Sequence, residues 1–176
     1  MEFEEVLKGR RSIRRYKDEA VSMDDVRACL NAAMLAPTWK NSQTGRFYVT
    51  QGKALDNVLG SLPETNRAKV VNAPVLVVET FVKDVSGMGS DGQFANEGQN
   101  GWGWYDLGLA TENFCLQAEA LGLGTLIMGI RDEDTLRKVC GIGDDETVGA
   151  VIALGHPDIH PVMPKRKELE ERVKFL

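Results

Sequence analysis

Apolar positions recur with two distinct periods along the 176 residues, and the two alternate. A short helix is predicted over Glu2 to Lys8, with Phe3, Val6 and Leu7 on one face and Gly9 as its stop. The next is better marked. Ser22 with Asp25 three residues on resembles a capping box, and Val26, Leu30, Ala33 and Met34 fall at i, i+4, i+7 and i+8 until Pro37 ends the helix. Phe47 to Thr50 reads as a short strand, and Lys53 to Leu62 as a helix closed by Pro63. Val75 to Val82 is a continuous, β-branched run, the pattern of a strand covered on both faces. The longest helical stripe is Leu107, Ala110, Phe114, Ala118 and Leu121, predicting a helix from Trp104 to Leu121 with Gly122 beyond its end. Thr125 to Met128 reads as a strand, Asp132 to Cys140 as a helix capped by Asp132, and Thr147 to Leu154 as a final strand. Strands mixed with helices without strict alternation predict an α+β sheet flanked by helices. No repeat or linker interrupts 1–176, which is read as one domain.

Residues 84–101 are polar and aperiodic, a length that in a compact domain is often a lid or binding loop. Twelve of the 18 glycines lie between Gly87 and Gly143, so this stretch needs tight turns or close backbone approaches. Gly87 to Gly92 spells G-x-G-x-x-G, but no amphipathic helix opens directly after it, so the dinucleotide fingerprint lacks its context and a flexible loop is expected. His156 and His160 have the spacing of a helical metal pair, yet Pro157 and Pro161 forbid a regular helix, and a structural turn is expected with no metal. Cys29, Cys115 and Cys140 are odd in number and far apart, which argues against a disulfide framework and for packing roles in a reduced cytoplasm. No apolar run approaches a membrane span, and Glu2, Glu4 and Glu5 are the wrong charge for a secretory leader.

The net charge of -5 disfavours nucleic acid as a partner. Against that background, Arg10, Arg11, Arg14, Arg15 and Lys17 form a local cationic cluster suited to a small anion. If the chain extends after Gly9, Arg10, Ser12 and Arg14 share a face, giving two guanidinium forks and a hydroxyl to one phosphate. A solvated basic surface is the alternative reading of the same run. Lys165, Arg166 and Lys167 form a second basic group, and Asn66 with Lys69 a third candidate. The usual signals of hydrolases and nucleoside triphosphatases (G-x-S-x-G, H-E-x-x-H, the P-loop) are missing.

These features, taken in order, resemble the FMN-dependent nitroreductase family. R-R-S-I-R-R-Y at 10–16 resembles its opening phosphate motif, and A-P-T-W-K-N-S-Q at 36–43 its A-P-S-x-x-N-x-Q segment. Y-D-L-G-L-A-T-E-N-F at 105–114 with A-L-G-L-G-T at 120–125 resembles its central helix and the following strand. L-G-H-P at 154–157 and P-K-R at 164–166 resemble its closing strand and basic phosphate contact. The resemblance implies a mixed, mainly antiparallel sheet and a homodimer with FMN at the interface. NADH or NADPH would be the electron donor and a small molecule the acceptor. It implies that Arg10, Arg11, Ser12 and Arg14, with Lys165 or Arg166, bind the cofactor's phosphate end, and that Asn66 and Lys69 reach the ribityl chain, the pyrimidine edge or the phosphate. Pro37, Thr38, Trp39 and Asn41 would come from the partner, and Met128 and Gly129 would lie near flavin N5. Trp39 and Trp104 are the expected substrate pocket, and the flavin carries the chemistry without a protein acid or base. The chain departs from the family at Gln43-Thr44-Gly45-Arg46-Phe47, which lacks one aromatic, and at Trp39, where a small residue is common. The implied activity is reduction of nitroaromatics, quinones or activated alkenes. The alternatives are an FMN-storage protein or a specialised flavin enzyme, such as a dehalogenase-like or flavin-degrading one.

Overall fold

Val75 and Val77 face one way along the central strand and Leu76 and Val78 the other, and all four are fully buried. That alternation organises the protein, which is described for residues 2–176 by a computed structural model. The elements run α1 (Phe3–Gly9), α2 (Met23–Met34), β1 (Gly45–Thr50), α3 (Lys53–Leu59), α4 (Glu64–Arg67), β2 (Val75–Val82), α5 (Gly101–Ala120), β3 (Gly124–Met128), α6 (Glu133–Cys140) and β4 (Glu146–Gly155). The four strands form one sheet in the order β1-β2-β4-β3, each pair antiparallel. Among the described residues, the one parallel pairing is a single bridge from Ser12 to Thr125 on β3.

The sheet has a hydrophobic cluster on each face. On one, Val75, Val77, Ile152 and Leu154 pack against Val26 and Cys29 of α2 and Phe114 and Cys115 of α5. On the other, Leu76, Val78, Val151, Leu126 and Met128 pack against Leu55 and Val58 of α3 and Leu136 of α6. Between β2 and β4 the register slips by one residue: Val78 faces Val151 but Thr80 faces Val148, so Glu79 lies opposite both Gly149 and Ala150. This is a β-bulge, which bends the strand and re-aims side chains.

The helix ends follow their capping chemistry. Ser22 Oγ accepts from the Asp25 N–H at 3.0 Å, but the reciprocal half of a capping box is missing because the Ser22 hydroxyl donates to the Asp25 carboxylate instead. Asp132 caps α6 by accepting from the N–H groups of Asp134 and Thr135. Beyond α5, Gly122 has φ +75° and its N–H donates to the Glu119 carbonyl, while that of Leu123 donates to Ala118, a Schellman ending.

Several boundaries differ from the sequence reading. α3 stops at Leu59, and Pro63 introduces a separate one-turn helix, α4, instead of closing a longer one. Strand pairing carries β1 back to Gly45 and β4 from Glu146 to Gly155, because ladder partners are supplied by β2, and for Gly155 by Gly124 of β3, whatever the local propensity. α5 begins at Gly101, three residues early, and Leu121 sits in its cap, partly exposed.

Candidate active site

The cationic run is extended, as its alternation requires. After α1 the Ile13 N–H donates to the Thr125 carbonyl at 2.8 Å, and the Ile13 side chain enters the core at 6% exposure. Arg10, Ser12 and Arg14 therefore turn together to the other side, where with Pro161, Pro164 and Arg166 they surround a cavity of about 220 Å³. Arg166 is thus brought to the cluster, whereas Lys165 is exposed and does not line the cavity. Arg11 also borders it, but its NH1 donates to the carbonyls of Lys8, Gly9 and Arg10, so it serves first to satisfy the end of α1. Arg10 pairs with Glu112 of α5 at 3.3 Å. Among the described residues no carboxylate lies within salt-bridge distance of Arg14 or Arg166. Uncompensated guanidinium groups beside a hydroxyl suit a phosphate monoester.

β3 is an edge strand, and its outer edge is bridged only at Ser12 among the described residues. Backbone groups alternate in direction along a strand, so the outward carbonyl of Thr125 places the N–H group of Ile127 on that same outer edge, and Gly129 follows directly after the strand. Just past the strand, Asn66 Nδ2 donates to the Ile130 carbonyl at 3.3 Å, and Lys69 Nζ donates to Asn66 Oδ1 at 3.2 Å. From Thr125 to Ile130 is five residues, about 16 Å at strand rise. The basic cradle and the Asn66–Lys69 pair thus stand at the two ends of one open strand edge. The Met128 side chain is 3% exposed in the core with Leu126, and by the same alternation its backbone groups turn inward to β4, where it pairs with Val151. Ile127, not singled out from the sequence, points the other way and is 45% exposed.

On the α5 face of the sheet, beyond the helix, lies a second cavity of about 440 Å³, bordered by Glu79, Trp104, Thr111, Ile127, Gly129 and Arg131 among others. Glu112 borders it as well, so the Arg10–Glu112 pair joins the two cavities. Glu79 is 4% exposed and accepts a hydrogen bond from Thr111 Oγ1. Burial pushes its carboxyl up to about 7, against which the Thr111 hydrogen bond works in the lowering direction. Arg131 is held by the carbonyls of Gly149 and Val148 and by Glu133 at 3.5 Å. The sequence signal for Glu79 was a carboxylate inside V-L-V-V-E-T-F-V, but which cavity it meets depends on the bulge.

Trp104 borders this cavity and stacks edge-on against Phe81 at 5.3 Å, whereas Trp39 packs on Trp102 at 4.7 Å. Within one chain these two tryptophans do not share a pocket. The Pro37–Asn41 segment is pinned from α5: the Trp39 N–H donates to both Asp106 carboxylate oxygens, and Ser86 Oγ donates to Asp106 at 2.6 Å. Lys40 and Asn41 have φ of 46° and 58°, so this turn holds side-chain-bearing residues in the left-handed region. Thr38 lines a separate small cavity with Ala33, Phe47 and Asp106. Residues 87–92 form a loop bridged from Met88 to Phe94, and Asn96 accepts from the Trp102 indole, so the segment is folded onto α5. His156 faces Glu19 at 3.8 Å, and among the described residues no cluster of side chains suits a metal ion. Nor is any described helix long and apolar enough to cross a membrane.

The sequence model of the Nitroreductase family matches residues 7–156. A protein of Archaeoglobus fulgidus, provisionally named NADH dehydrogenase/NAD(P)H nitroreductase, is 33% identical over 84% of this chain and 81% of its own. A solved nitroreductase family protein from Streptococcus pneumoniae superposes with a TM-score of 0.87, covering 99% of this chain and 100% of that one at 21% identity. A nitroreductase-type protein from Desulfovibrio desulfuricans, solved in complex with FMN, has a TM-score of 0.81 at 27% identity, covering 99% of this chain and 96% of that one. Fold, sequence and the convergent basic segment agree: this chain belongs to the nitroreductase family.

Proposed function

We propose that the protein is an FMN-dependent oxidoreductase that takes hydride from NADH or NADPH and reduces a small electron-poor acceptor: a nitroaromatic, a quinone or an activated alkene. The observation that carries this reading is the convergence of Arg10, Ser12, Arg14 and Arg166 on one cavity, with the Arg10–Glu112 ion pair standing between it and the second cavity that Gly129 borders. The relative solved with FMN lends the cofactor its identity. When bound, FMN supplies the two-electron redox chemistry. The chain's own residues bind and orient it. Arg10, Ser12, Arg14 and Arg166 hold the phosphate, with Arg11 behind them. Asn66 and Lys69 serve the far end of the β3 edge, where Gly129 offers its N–H to the cofactor. Donor and acceptor enter one cleft in turn, which is a ping-pong scheme. Pro37, Thr38, Trp39 and Asn41, held away from their own chain's cleft, complete that of a second copy in a homodimer.

The test is an anaerobic titration of the FMN-loaded protein with NADH and with NADPH, followed by visible absorbance. Bleaching, then recovery on adding an acceptor, is the expected result. Bound flavin that neither nicotinamide bleaches would mean a storage protein or a specialised flavin enzyme. A protein that takes up no FMN would refute the reading outright.

A further inference from the structure

Glu79 is a buried acid, and among the described residues no cation lies within salt-bridge distance of it. Its neighbours leave it one task that packing does not explain. Of its two carboxyl oxygens, one is anchored by the Thr111 hydroxyl, whose single proton is shared with the Leu107 carbonyl at 2.8 Å, and among the described residues the other has no hydrogen-bond partner. The residue lies at the bulge, where β4 places Gly149, and a Cβ there would come within 3.2 Å of Glu79 Cγ and 3.0 Å of its carbonyl oxygen. The backbone is thus shaped to let this side chain reach the floor of the 440 Å³ cavity that Gly129 and Trp104 also border. The free oxygen is not among the sealed, unpartnered polar atoms, so the carboxyl, though on a largely buried side chain, opens onto this cavity and not into the apolar core.

We propose that Glu79 is the proton-transfer group of this cavity, handing its proton to the acceptor as the acceptor is reduced. The proposal rests on the oxidoreductase reading above. Reducing a quinone or activated alkene by two electrons takes one hydride equivalent, drawn from NADH or NADPH through the cofactor, and one proton. The O–H bond of Glu79 breaks and a bond from that proton to the acceptor's oxygen or carbon forms. Glu79 is left as a carboxylate, which regains a proton from water entering the open cavity. The free oxygen is the one that exchanges the proton, while Thr111 keeps the other in place.

The electrostatic surroundings favour the neutral acid near neutral pH. From α5, Glu112 is engaged by Arg10, and Cys115, whose own thiol is pushed up to about 11, adds no charge. After β3, the Arg131 guanidinium is committed to two β4 carbonyls and to Glu133. β4 offers Gly149 and Ala150 at the bulge, and its Glu146 is bonded to Tyr48 and Thr80. β1 sets Phe47 directly opposite Glu79, with Arg46 and Tyr48 on alternate positions facing away. α3 packs on the other face of β2. Burial therefore governs, and a proton donor poised near the working pH is the most effective kind.

The experiment uses FMN-loaded wild type, Glu79→Gln and Thr111→Val. Each is reduced anaerobically and mixed with a quinone across the neutral pH range. Gln keeps an oxygen for Thr111 and the volume beside Gly149, but carries no transferable proton. Wild-type acceptor reduction should fall as pH rises through about 7. In Glu79→Gln it should be roughly a hundred- to ten-thousandfold slower and lose that pH dependence, while reduction by nicotinamide changes little. In Thr111→Val the loss of a bond that favours the carboxylate should move the midpoint to higher pH. Infrared difference spectra of the FMN-free protein give a readout independent of turnover: a protonated-carboxyl band that titrates in wild type and is missing in Glu79→Gln. Unchanged rates and pH profile in Glu79→Gln, with flavin bound, overturn this proposal alone. A wild type that binds no flavin overturns the earlier reading and this one with it. If Glu79→Gln fails to fold, an unmoved midpoint in Thr111→Val overturns the proposal.

Discussion

Two neighbouring arginines should respond in opposite ways to truncation, because the structure gives them different work. Arg14 is exposed, and among the described residues its one side-chain hydrogen bond is from NH1 to the Ser12 carbonyl at 3.2 Å. Arg14→Ala therefore removes little from the free protein, within about 0.5 kcal/mol for a surface side chain. It does remove a guanidinium facing the Arg10–Ser12–Arg166 cavity. A charge-assisted contact to a phosphate contributes roughly 1.5–3 kcal/mol, so FMN affinity should fall about ten- to a hundredfold. Arg11 instead spends its NH1 on the Lys8, Gly9 and Arg10 carbonyls. Arg11→Ala should cost about 1–3 kcal/mol of stability, a melting shift of roughly 3–10 °C for a chain of this size, with a smaller loss of affinity. Fluorescence quenching of FMN gives the affinities, and thermal denaturation of the FMN-free proteins gives the stabilities. Since the Arg14 contribution is electrostatic and solvent-exposed, added salt should narrow the affinity difference between wild type and Arg14→Ala. Wild-type affinity in Arg14→Ala would refute the phosphate assignment. A tighter-than-expected loss in Arg11→Ala, with unchanged melting, would reverse the two roles.

Three other outcomes follow from packing and charge. A Cβ at Gly124 would collide with Ile13 Cγ1 and come within 2.9 Å of its Cβ, so Gly124→Ala should cost about 1–3 kcal/mol by overpacking and weaken FMN binding by displacing the Ser12–Arg14 segment, both read from melting and flavin titration. Asp106→Ala should free the Trp39 turn and the Ser86 loop together, lowering stability by about 2–3 kcal/mol and opening residues 84–100 to limited proteolysis. The Glu79 carboxyl lies at about 7 when folded against 4.5 unfolded, so the folded state holds the extra proton between those values and loses that advantage as pH rises through them. Denaturant unfolding should accordingly show Glu79→Gln gaining on wild type from acid to alkaline pH by on the order of 3 kcal/mol, and parallel curves would refute a buried, titrating Glu79.

Much of the molecule is legible in the sequence. The stripe Leu107–Ala110–Phe114–Ala118 located α5, and the run from Val75 to Val82 located the doubly covered strand. The Arg10–Ser12–Arg14 alternation held because a bridge to Thr125 keeps that segment extended. Residue type also marked the ends of helices: Ser22, Asp132 and Gly122 each satisfy backbone groups by local bonds. What these share is that the deciding interaction lies within a few residues, so a periodicity or a capping pattern carries it.

The remaining features were decided elsewhere. Arg11 and Arg14 look alike in sequence, and only the folded chain beyond α1 sets one on the carbonyls at the helix end and turns the other to the cavity. Met128 and Ile127 are adjacent apolar residues, and which faces the core depends on how β3 pairs with β4. Glu79 becomes a cavity acid only because one extra residue in β4, some seventy positions away, bulges opposite it. Pairing register, a bulge and the meeting of Arg166 with the basic run are contacts between distant segments. Their free energy comes from surfaces that exist only once the sheet has closed, so the sequence supplied the groups and the tertiary structure decided their chemistry.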